Sequence, residues 1–76
     1  MNKQRRKELD KILERIEEIK ADLESIMCDE EEYRDNMPEN LQGSERYELA
    51  EAACDAMQTA LDSLDDAVSS IEEAQE

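Results

Sequence analysis

The chain has no His, no Trp and no Phe, and its 76 residues include a single Gly, a single Pro and two Tyr. Without His it lacks the side chain whose ordinary pKa suits proton transfer near neutrality. Two cysteines, Cys28 and Cys54, form no CxxC pair and without His make a poor ligand set for zinc. No Gly-rich loop is present to cradle a phosphate, so neither a cofactor nor an enzyme is expected. No apolar run approaches the roughly 18 residues of a membrane span, and no signal-peptide core follows the basic start. The expectation is a chain that stays in the cytoplasm with free thiols and no membrane partner.

Charge is abundant where these residues are missing. Twenty-three acids stand against nine bases, for a net charge of −14. That balance opposes direct binding to a phosphate backbone or an anionic membrane. It is also uneven: residues 1–20 hold seven bases and five acids, whereas residues 21–76 hold Arg34, Arg46 and 18 acids. A basic arm of Arg5, Arg6 and Lys7 that grips nucleic acid is one reading of this asymmetry. The preferred reading sets those three bases beside Glu72, Glu73 and Glu76 of an antiparallel neighbour.

With 42% charged residues and almost no helix breakers, the chain reads as long helices. Leu9, Ile12, Ile16, Ile19, Leu23 and Ile26 follow steps of three and four, the a and d positions of a heptad. Leu13 and Met27, at e positions, widen that stripe. A second stripe runs through Tyr47, Ala50, Cys54, Met57, Leu61, Leu64, Val68 and Ile71. Beside it Ala53, Ala60, Ala67 and Ala74 recur every seven residues, small enough for close approach of another helix.

Between the stripes lies DNMPENLQGS, residues 35–44. Pro38 disfavours helical geometry at Met37 and ends the first helix. Asn36 and Glu39 have the spacing of a capping box for one short turn, which Gly43 would close in the left-handed conformation. Ser44 then caps the second helix, with Glu45 and Glu48 on the favourable side of its dipole; Asn2 caps the first. The spacing predicts helices over residues 3–34 and 45–75, each roughly 46 Å long, joined as one all-α antiparallel hairpin. Tyr33, Met37, Leu41 and Tyr47 are expected to close its corner end.

One hairpin leaves much of both stripes uncovered, so a homodimer forming a four-helix bundle is expected. Its interface would draw on Leu9, Ile12, Ile16, Ile19, Leu23, Ile26, Met57, Leu61, Leu64, Val68 and Ile71. Cys54 falls at a core position and Cys28 on the outer face, so a bond between them within one chain is not expected. The run Asp29 to Glu32 splays consecutive carboxylates around a helix and lacks the alternating loop pattern of a calcium site.

The spread of acids on the second helix is more informative. Glu48, Asp55 and Asp62 share one row, Glu51, Asp65 and Glu72 a second, and Asp66 and Glu73 a third. Such rows suit a solvated outer face, and they also suit an imitation of nucleic-acid charge that occupies a basic groove on another protein. These eight residues are the candidate partner-binding surface. The alternative function is a structural or assembly module that engages a partner helix through the heptad stripe.

The string DNMPENLQGSERYE, Asp35 to Glu48, followed by heptads rich in Ala, Leu, Asp and Glu, resembles a group of small acidic proteins of phages and prophages in Gram-positive bacteria. The likeness is tightest over residues 30–50 and only compositional in the heptads. It implies a setting and no site residues: an accessory phage protein inside a bacterial host cell, of a kind that often binds and inhibits a host protein, sometimes a defence nuclease.

Overall fold

The computed structural model describes residues 1–76 and consists of two long helices and one short turn. Helix α1 spans Lys3–Asp35 and helix α2 spans Glu45–Ala74. A single 3₁₀ turn, Glu39–Leu41, lies between them. The helices run antiparallel along each other in a rod of 59 × 15 × 12 Å between Cα extremes. No helix is long and apolar enough to cross a membrane.

Side chains start both helices as the sequence predicts. The Asn2 carboxamide oxygen accepts the Arg5 N–H at 2.8 Å. The Ser44 hydroxyl accepts the Tyr47 N–H at 3.3 Å and donates to the Leu41 carbonyl. The bonds from Arg5 and Tyr47 each satisfy an amide that the first turn leaves without a partner.

The corner itself departs from expectation in two places. Asn36 is the C-cap of α1, its N–H donating to the Glu32 carbonyl at 2.9 Å, and does not cap the short turn. That turn is entered through Pro38 with no side-chain cap. Gly43 has no positive φ, so it supplies no left-handed residue. The turn closes through backbone bonds, Leu41 N–H to the Pro38 carbonyl at 2.8 Å and Ser44 N–H to the Leu41 carbonyl at 3.0 Å. Pro38 fixes the first and the Ser44 cap anchors the second, which leaves Gly43 no conformational duty.

The seam of α2 holds the predicted rows: Ala50, Cys54 and Leu61 are buried, and Tyr47, Met57, Leu64, Val68 and Ile71 are half-buried. The seam of α1 is turned by one row. Leu9, Leu13, Ile16, Lys20, Leu23, Met27 and Arg34 are half-buried against α2. Ile12, Ile19, Ile26 and Tyr33 remain 39%, 53%, 59% and 47% exposed. The apolar stripe of α1 is three rows wide, d, a and e, and one neighbouring helix covers only two of them. The hairpin covers a and e, a choice that also brings the Lys20 ammonium to Asp65.

The expected dimer interface is divided by this rotation. Leu9, Ile16, Leu23, Met57, Leu61, Leu64, Val68 and Ile71 lie in the seam of the single chain, and only Ile12, Ile19 and Ile26 stay open. At the corner Met37 is buried and Tyr47 half-buried, but Tyr33 and Leu41 stay exposed. The four residues therefore close that end only in part.

Candidate functional site

Three polar contacts define the register of the hairpin. Lys20 forms an ion pair with Asp65, and the Gln75 carboxamide donates to the Asp10 carboxylate at 2.6 Å and the Arg6 carbonyl at 3.2 Å. The expected pairing of Arg5, Arg6 and Lys7 with Glu72, Glu73 and Glu76 does not occur; the ion pairs are Lys20 with Glu17 and Asp65, and Arg34 with Asp35. A neutral amide joins the open end because residue 75 occupies the seam row there, while Glu72, Glu73 and Glu76 point to solvent.

The eight candidate acids, Glu48, Glu51, Asp55, Asp62, Asp65, Asp66, Glu72 and Glu73, are all exposed. They lie in the b, e and f rows of α2, which cover adjoining arcs of the helix. The structure adds a row from α1 that the sequence reading did not select. Asp10, Glu17, Glu24 and Glu31 recur every seven residues on the flank that Lys20 and Asp10 turn toward α2. Their heptad spacing was readable, but which flank faces the acids of α2 depends on the rotated seam. One broad face of the rod thus carries carboxylates from both helices.

Lys20 sits in the middle of this face. Its ammonium pKa is raised, first by the hydrogen bond to Asp65 and further by the charges of Asp65, Glu17 and Glu24, against a smaller opposing effect of burial. The guanidinium of Arg34 is raised in the same sense by its bond to Asp35, at 2.9 Å. Both cations stay charged and leave a strong excess of negative potential around them.

The opposite face is chemically unlike this one. From Leu49 onward, the c and g rows of α2 read Leu49, Ala53, Ala56, Ala60, Ser63, Ala67, Ser70 and Ala74, with no charge among them. The exposed row Ile12, Ile19, Ile26 and Tyr33 borders them on α1. The alanine row is half-buried at Ala53 and Ala67 and exposed at Ala60 and Ala74.

Neither thiol lies in a site. Cys28 is exposed on the outer face and Cys54 is buried in the seam, and both are free. Burial pushes the Cys54 thiol up, with the charges of Glu31, Glu30 and Asp55 adding to the effect and Arg34 opposing it. No group of three or more acidic or Cys side chains is placed to hold a metal ion, the run Asp29 to Glu32 included. A shallow groove at the corner is lined by Leu41, Ser44, Glu45, Arg46 and Leu49. No family model, no curated protein and no solved structure matches the chain.

Proposed function

We propose that the chain is a non-enzymatic binding protein whose acidic face docks on a basic surface of another protein, one that handles nucleic acid, and blocks it. The observation that carries this reading is the segregation of charge. The acids of α2 share one side of the rod with Asp10, Glu17, Glu24 and Glu31 of α1, and the other side of α2 is uncharged from Leu49 onward. Rows on a 59 Å rod present repeated negative charge over a length between one and two turns of a duplex, about 34–36 Å each. The setting implied by the corner sequence, a phage protein acting on a bacterial host protein, belongs to this proposal. The alternative, a coiled-coil assembly module, retains only the Ile12–Ile19–Ile26 row, because the hairpin itself occupies the rest of the stripe.

The test is capture of partners from bacterial lysate by the tagged protein, with and without excess duplex DNA, beside a variant carrying Asp55→Lys, Asp62→Lys and Asp66→Lys. Asp65 is left intact because reversing it would set a second ammonium against Lys20. A nucleic-acid-handling protein that DNA displaces and the triple variant no longer captures is the expected result. Capture unaffected by both DNA and charge reversal removes the acidic-face reading.

A further inference from the structure

We infer that the uncharged face of the hairpin is the site of a second copy of this chain, laid face to face about a twofold axis parallel to the helices. This does not rest on the acidic-face reading, since it concerns the opposite side of the rod.

The register carries the argument. Lys20 lies opposite Asp65 and Asp10 opposite Gln75, so every step forward along α1 is matched by a step back along α2. At that register Ile12 is level with Ala74, Ile19 with Ala67, Ile26 with Ala60 and Tyr33 with Ala53. The face therefore consists of a column of large side chains beside a column of alanines, matched rung by rung. A half-turn about the long axis exchanges left and right and leaves height unchanged. It brings α1 of one copy over α2 of the other, antiparallel to it, and sets each large side chain on the alanine of its own level. No sliding is needed. A half-turn about an axis across the helices would stack isoleucine against isoleucine and alanine against alanine, the poorer fit for interdigitation.

Area and charge agree with this occupant. The face is 59 Å long and 15 Å across between Cα extremes, which is comparable to the about 800 Å² per partner of a stable interface. The single chain buries only Met37, Ala50, Cys54 and Leu61, so a second layer would supply the missing core. The net charge of −14 opposes self-association, but α2 turns its acids to the other side. On the outer flank of α1, Arg15, Asp22 and Asp29 would lie level with Ser70, Ser63 and Ala56 of the second copy.

Sedimentation equilibrium from about 1 to 300 µM tests the assembly, with far-UV circular dichroism to follow helicity. The expected result is a species of twice the 8.8 kDa chain mass. A variant with Ile19→Asp and Ile26→Asp should weaken association about 100-fold or more while remaining helical, because both side chains are open in the single chain. Ala60→Lys, at an exposed alanine, should do the same without touching the seam. The axis is read by mixing an Ile19→Cys protein with an Ala67→Cys protein, both with Cys28→Ser, and adding a short bis-maleimide. A mixed cross-linked pair is expected. A monomer at every concentration, or a dimer indifferent to these substitutions, overturns the inference. Exclusive linking of Ile19→Cys to itself overturns the axis.

Discussion

Lys20 of α1 meets Asp65 of α2 in the one ion pair that joins the two helices, and the lysine occupies a seam position where an apolar residue would ordinarily sit. Its stem packs in the seam while its ammonium reaches the acidic face, so packing and charge ask different things of the same residue. Lys20→Met should preserve the hairpin and hold or raise its melting temperature. Lys20→Glu should lower it clearly, since a carboxylate would then face Asp65, Glu17 and Glu24. Thermal unfolding followed at 222 nm distinguishes the two. A Lys20→Met protein that loses its helicity would show the ion pair to be indispensable.

Leu61 and Leu49 provide a matched comparison on one helix. Leu61 is 4% exposed and Leu49 is 64% exposed. Leu61→Ala should cost about 2–3 kcal/mol, the lower part of the range for buried leucines, because a two-helix seam can partly collapse. Leu49→Ala should stay within about 0.5 kcal/mol. Urea denaturation at one protein concentration measures both, and equal losses would contradict the seam.

At the corner, two adjacent residues should respond in opposite directions. Gly43 has no positive φ, and a Cβ added there would meet nothing within 4 Å. Gly43→Ala should therefore stabilise by about 0.4–1 kcal/mol through the unfolded chain. Ser44→Ala removes the cap of α2 and should cost about 1 kcal/mol. A destabilising Gly43→Ala would mean that the glycine has a conformational role after all.

The thiols should separate by accessibility. Cys28 should react with iodoacetamide in the native protein, and Cys54 only as the chain unfolds. Burial raises the Cys54 pKa above its ordinary 9.0, so above that pH the unfolded chain releases a proton that the folded chain keeps. Stability from this source is constant below about pH 9 and falls as pH rises. The raised Lys20 pKa acts in the same direction higher up: its contribution is full below the ordinary 10.5 and is lost as pH climbs through the folded value. Melting curves between pH 7 and 11 should show this alkaline decline, and Cys54→Ala should reduce its first part.

The helices, their starts and their antiparallel pairing were legible in the sequence because each is a local or periodic property. Asn2 and Ser44 cap from their own neighbourhood, and Pro38 ends α1 through the residue before it. The seam of α2 was equally clear, since Leu49 is the one bulky apolar side chain of that helix outside two rows. The α1 stripe offered three rows for a neighbour that covers two, and periodicity alone does not choose between a/d and a/e. Tertiary packing made that choice by seating Leu13 and Met27 against α2 and matching Lys20 to Asp65, and so left Ile12, Ile19, Ile26 and Tyr33 open. The same choice decided which carboxylates of α1 join those of α2 and which alanine stands level with each isoleucine. Those relations depend on the rotation and register of one helix against another, which a linear pattern of hydrophobic spacing does not encode.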